Sequence, residues 1–181
     1  MGLAQNFEKE KLIIGFIYNT EENYEKALKI MVDKFGAVDF ETEEFSFTEE
    51  FSSYYDEELG GEAKRRILSF ERLVDPEEQA DIKTFTNSVE AEFSIDGNRK
   101  VNLDPGFLSH GRLLLATTKK TGFRIPLKDG IYTELTLFYA RGAWQQLPWT
   151  YRDYQSERVQ SFLTTVRRRY LEQRKTEETL L

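Results

Sequence analysis

The chain contains no cysteine and only one histidine, His110. Thiol catalysis, disulfide staples and cysteine-ligated zinc are therefore excluded, and histidine-rich metal sites with them. His110 lies between Pro105-Gly106 and Gly111, which reads as an exposed loop, and nothing around it supports a serine triad. The segments G-x-x-x-x-G-K-[ST], G-x-G-x-x-G, G-x-S-x-G and H-E-x-x-H are all missing. No run approaches the roughly 18 apolar residues of a membrane span, and the first residues lack a signal-peptide core. Excess positive charge is lacking too. Against 32 Asp and Glu stand 25 Lys and Arg, a net charge of -7, so a broad footprint for duplex nucleic acid is not expected. The expectation is a soluble, cytoplasmic protein with no membrane partner.

What is present suits one α+β domain over residues 1–181, with loose ends at 1–10 and 175–181. Lys11–Tyr18, KLIIGFIY, is a continuous apolar run of strand length, which implies burial on both faces. Thr20-Glu21-Glu22 opens a helix in which Tyr24, Ala27, Leu28, Met31, Val32 and Phe35 recur at helical spacing, and Gly36 stops it. Ala37–Phe47 reads as a second, exposed strand and completes a β-α-β opening. Two carboxylates at that helix start argue against an anion there.

The spacing of Ala63, Ile67, Phe70 and Val74 predicts a helix over Glu62–Val74. Another helix begins at Asp75-Pro76-Glu77-Glu78, with a cap, a first-turn proline and glutamates at the positive end of the dipole. Its stripe is Ile82, Phe85 and Val89, while Lys83 and Asn87 share a face that could meet a ligand or water. Glu90–Ile95 is predicted as a strand closed by an Asp96-Gly97 turn. Ser156–Arg174 reads as the last helix, with Val159, Phe162, Leu163, Val166 and Tyr170 on one side. The architecture expected is a mostly antiparallel sheet with an N-terminal β-α-β unit and helices packed chiefly on one face.

Three runs in the middle, Arg112–Thr118, Phe123–Leu127 and Ile131–Tyr139, are separated by loops ending in Gly122 and Gly130. A three-residue Lys128-Asp129-Gly130 loop pairs Leu127 with Ile131 and sets Arg124 opposite Glu134. Treating Lys120-Thr121-Gly122 alike pairs Thr118 with Arg124, and collects Phe123, Ile125, Leu127, Ile131, Leu135 and Leu137 on an apolar face. The run Arg99–Asp104 alternates in phase and ends in an Asp104-Pro105-Gly106 turn. One polar face could then carry Asn102, Asp104, Arg112, Thr118, Arg124 and Glu134, although a one-residue bulge would undo it.

Chemically, that set suits a small anionic or phosphate-bearing ligand. Arg112 and Arg124 would neutralise it, Asn102 and Thr118 would donate hydrogen bonds, and Asp104 or Glu134 would act as base or metal ligand. If Arg124 is instead buried in a closed pair with Glu134, the arrangement is structural. Two other functions are open. Fourteen phenylalanines and nine tyrosines suit a scaffold or homo-oligomer interface, and Trp144, Trp149, Tyr151 with Arg167-Arg168-Arg169 could hold single-stranded RNA. Asp56, Glu57 and Glu58 are the obvious metal ligands by composition, but without calcium-loop spacing they read as a solvated acidic loop. No metal or cofactor is assigned, and no catalytic residue.

The segments SSYYDEELG (52–60), ILSFERLVDPEE (67–78), IKTFTNSVE (82–90), VNLDPGFL (101–108), LLATTK (114–119), GIYTELTLFY (130–139) and WTYRDY (149–154) resemble an uncharacterised bacterial family of unknown function. Members are sometimes labelled GTP-binding proteins, a label for which this chain carries no nucleotide motif. The family pattern has histidine before the arginine and tyrosine two residues after it. Here Phe123 and Pro126 stand there, and Arg152 replaces the proline of W-T-Y-P-D-Y.

Overall fold

A computed structural model describes residues 2–180, with the side chains of 177–180 excepted; Met1 and Leu181 lie outside the described residues. The architecture is α+β, built on one antiparallel sheet of nine strands. Strand β1 (Glu10–Tyr18) is buried along its whole length, as its continuous apolar run requires. Helix α1 (Glu21–Phe35) is capped by the Thr20 hydroxyl and ends at Gly36, whose φ of 92° favours glycine. Then come β2 (Val38–Glu41), β3 (Phe45–Ser46), the one-turn helices α2 (Phe47–Glu50) and α3 (Asp56–Leu59), and β4 (Lys64–Val74). A capping box between Asp75 and Glu78 leads into α4 (Gln79–Glu92). The remaining elements are β5 (Val101–Leu108), β6 (Arg112–Thr117), β7 (Ile125–Pro126), β8 (Tyr132–Ala140), β9 (Ala143–Gln146) and α5 (Glu157–Leu180), which runs past residue 175.

The strand order is β2-β4-β1-β5-β6-β8-β7, with β3 also on β4 and β9 also on β8. Alternate residues of β1 serve two cores. Leu12, Ile14, Phe16 and Tyr18 pack with α1 and α4, whereas Ile13 packs with Val159, Leu163, Val166 and Tyr170 of α5. Two of the three long helices thus share one face, and α5 covers the other. Buried Lys11 ties α5 down by donating to Gln173 at 2.8 Å while also pairing with Asp39.

Several expectations are corrected. Glu62–Val74 is not a helix but contains strand β4, the partner of both β1 and β2. A strand apolar on both faces has lost its two-residue alternation, and the apolar residues that remain can fall at helical spacing. Glu90–Ile95 is no strand: α4 runs on to Glu92, and only an isolated Ile95–Asn98 bridge flanks the Asp96-Gly97 turn. Asp104-Pro105-Gly106 does not end its strand, since all three pair with β1 in mid-strand. The proline is accommodated because β5 has no neighbour on its other side there.

The Lys128-Asp129-Gly130 loop forms as expected, with Leu127 and Ile131 hydrogen-bonded and left-handed backbone at Asp129 and Gly130. The second hairpin does not form. Strand β6 pairs with β8, and β7 lies beyond β8, so Thr118 is not set against Arg124. The β6–β8 register shifts at Thr136, which turns Glu134 and Leu137 to the same face. Phe123, Ile125 and Leu127 accordingly stand at the sheet edge, exposed, instead of joining the core.

Candidate functional site

Strands β5 and β6 pair only over Gly106–Leu108 and Leu113–Leu115. Below that, Val101–Pro105 pairs with β1 alone and Ala116–Thr117 with β8 alone, so the sheet forks. A cavity of about 310 Å³ fills the fork. From one side α4 reaches in. Lys83 donates to the Leu103 carbonyl at 2.8 Å, and the Glu90 carboxylate accepts the Leu103 N–H at 2.7 Å. These are the main-chain groups that a paired β6 would have satisfied. Arg99 fastens this wall by donating to Glu90 (2.9 Å), to the Asn102 side-chain oxygen (2.8 Å) and, forked, to Glu58 of α3 (2.6 and 2.9 Å).

From the other side comes Arg65 of β4, only 1% exposed. Its guanidinium lies 2.9 Å from Asp153 and 3.3 Å from Asp104, between the rings of Phe47 and Tyr154. Gly15 on β1 makes room for it: a Cβ there would stand 2.8 Å from Nη2. Two carboxylates on one buried arginine satisfy the rule that buried charge must be paired.

Opposite shifts follow for the two acids. Burial drives the Asp104 carboxyl up, but Lys83 and Arg65 outweigh it and hold it below the usual carboxylate range. Asp153 goes the other way, because burial lifts it above that range despite Arg65. Burial and the Glu134 charge push the Tyr151 phenol up to about 12, and burial raises Tyr55 and Tyr154 as well. All three phenols are neutral O–H groups near pH 7.

Of the six residues read from the sequence, Asn102, Asp104, Thr118 and Glu134 line the cavity. Asp104 keeps 30% of its side chain open. The Asn102 Nδ2 and Glu134 Oε1 atoms are buried with no hydrogen-bond partner among the described residues. Arg124 sits behind Glu134 in a closed pair, with Nε to Oε2 at 2.6 Å and side chains 6% and 1% exposed. Its other nitrogens hold the Lys119 carbonyl and the Tyr151 hydroxyl at the rim (2.7 and 2.9 Å). Arg112 lies toward the other end of β1, paired with Glu10 at 2.5 Å. The bulge at Thr136 and the β6–β8 pairing break the parity that had grouped these six.

Sequence reasoning missed Arg65, Glu90, Arg99, Asp153 and Tyr154. One signal was present: Gly15 interrupts an otherwise apolar strand, which marks the close approach of another group. Lys83 and Asn87 do share a face, and it is the face that lines the cavity. The aromatic segment is packed inward: Trp149 donates to the Leu135 carbonyl and stacks on Phe123, and Trp144 is buried. Arg167 donates to the His110 carbonyl and lies over Tyr139, while Arg169 pairs with Glu71. Asp56 accepts from Thr48 and from the Ala63 N–H, so the acidic segment builds cavity wall. Among the described residues no group of three or more acidic or histidine side chains could hold a metal ion, and no helix is long and apolar enough to cross a membrane.

Fold and site together define an α+β protein whose antiparallel sheet opens around a polar, aromatic-walled cavity. The chain belongs to the family described as Domain of unknown function (DUF4416), whose model matches residues 8–170. No curated protein and no solved structure matches it.

Proposed function

We propose that the protein binds a small molecule in the fork between β5 and β6. One observation carries this reading: the cavity holds a partly open Asp104 carboxylate beside the buried, unpartnered Asn102 Nδ2 and Glu134 Oε1. A buried polar atom left unpaired costs about 1–3 kcal/mol, so a partner from outside the chain is the economical explanation for two of them around one cavity. The anion-binding role first expected of Arg112 and Arg124 is not supported, since both already have carboxylate partners. The test is a thermal-shift screen of the full chain against sugars, nucleosides, amines and phosphate esters, repeated on Thr117→Trp, which fills the cavity. A ligand at about 100 times its dissociation constant adds roughly 2.7 kcal/mol of stability. A shift seen in the parent and lost in Thr117→Trp supports the reading; an equal shift in both, or none for any class, refutes it.

A second reading is self-association, supported by the apolar sheet edge at Phe123, Ile125 and Leu127, the last two 60% and 41% exposed. Mass measurement in solution, with Ile125→Lys as the variant, decides it. A dimer that the lysine dissociates supports it, and a monomeric parent removes it.

A further inference from the structure

The chemistry of the cavity walls narrows the ligand further, given that the cavity is a binding site. Its interior cations are already engaged. Arg65 lies between Asp153 and Asp104, and Arg99 is forked onto Glu58. Lys83 holds the Leu103 carbonyl and lies 3.8 Å from Glu90. A phosphate would have to displace one of these partners, leaving a buried carboxylate unpaired. An ammonium group fares no better, because the open carboxylate, Asp104, already has Arg65 and Lys83 beside it.

The unmet groups are mixed in kind. Asp104 and the Glu134 Oε1 atom can only accept, and Asn102 Nδ2 can only donate. A hydroxyl does both, with its hydrogen free to rotate to suit. The Tyr55, Tyr151 and Phe47 rings add apolar wall against which the C–H face of a ring could lie. The volume stands at the low end of ligand pockets, which run from about 300 to 1,000 Å³, and so suits a single ring. We propose that the cavity takes a neutral polyhydroxylated ring, a monosaccharide or cyclic polyol, with hydroxyls donating to Asp104 and Glu134 and one accepting from Asn102.

Saturation-transfer NMR on the full chain tests this with three sets of probes. The neutral set is glucose, galactose, mannose, ribose and myo-inositol; the phosphorylated set is glucose 6-phosphate and ribose 5-phosphate; glucosamine is the amine. Asn102→Ala removes the donor and Thr117→Trp fills the space, so if one variant fails to fold the other still reads the site. The expected result is transfer to at least one neutral probe, weakened about tenfold by Asn102→Ala and abolished by Thr117→Trp. Transfer confined to the phosphorylated or amine probes, and abolished by Thr117→Trp, overturns the polyol assignment and leaves the binding cavity standing. Silence of all three sets, or transfer that persists in Thr117→Trp, overturns both.

Discussion

The side-chain amine of Lys83 donates to the main-chain carbonyl of Leu103 at 2.8 Å, in the place where a neighbouring strand would donate its N–H. Glu90, seven residues on, takes the N–H of the same residue. Helix α4 thereby serves as a surrogate edge for β5, which allows β6 to turn away and leaves a space with polar walls. The fork survives because these two side chains replace the ladder.

Removing that replacement should therefore be costly. Lys83→Ala leaves the Leu103 carbonyl without its donor and is expected to cost about 1–3 kcal/mol. Glu90→Gln retains an oxygen for the Leu103 N–H and gives up only the charge facing Arg99, so its loss should be the smaller. Urea unfolding with the slope unchanged measures both. If Lys83→Ala melts with the parent, α4 is not what holds the fork.

Arg124 and Glu134 form a closed buried pair. Arg124→Ala should then cost about 3–5 kcal/mol, because an uncompensated carboxylate stays inside, whereas Arg124→Met with Glu134→Leu should recover most of that. Should the double variant be no more stable than the single, the energy lies in the rim contacts to Lys119 and Tyr151 and not in the charge pair.

Two glycines admit close neighbours, and their alanine variants should differ. At Gly106 a Cβ would meet the Leu114 main-chain oxygen at 2.7 Å and Leu115 Cδ2 at 2.6 Å; at Gly15 it would meet the Arg65 side chain. A strand oxygen cannot step aside, while a guanidinium can shift slightly between its carboxylates. Both are expected to cost about 1–3 kcal/mol or more, Gly106→Ala the greater. Equal melting temperatures for the two would show that Arg65 is held as rigidly as backbone.

The legible parts of this chain were the ones fixed by neighbours in sequence. The Thr20 and Asp75 caps, the Lys128-Asp129-Gly130 loop and the Arg124–Glu134 register all follow from local turn and cap chemistry. What failed was decided at long range. Strand β4 carries apolar side chains on both faces because β1 and β2 flank it, and its buried Arg65 is explained only by Asp104 and Asp153, 39 and 88 residues away along the numbering. The polar face was half recovered: Asn102, Asp104, Thr118 and Glu134 meet at the cavity, but through a fork and a bulge instead of one flat register.

Opposite shifts on the two Arg65 carboxylates give opposite pH signatures. Asp104 has its folded value depressed, so as pH falls the unfolded chain takes up its proton first, near pH 4. Its stabilisation is present above about pH 4 and is lost as pH falls through the lower folded value. Asp153 is raised, so its contribution is complete below about pH 4 and is lost as pH climbs through the higher folded value. Urea unfolding of the parent, Asp104→Asn and Asp153→Asn across the acid range reads these slopes directly. Below about pH 4, Asp104→Asn should lack part of the parent's gain in stability with rising pH, and above it Asp153→Asn should lack part of the parent's loss. If both variants keep the parent's slopes, Arg65 does not divide its charge between the two acids in the way its 3.3 and 2.9 Å contacts require.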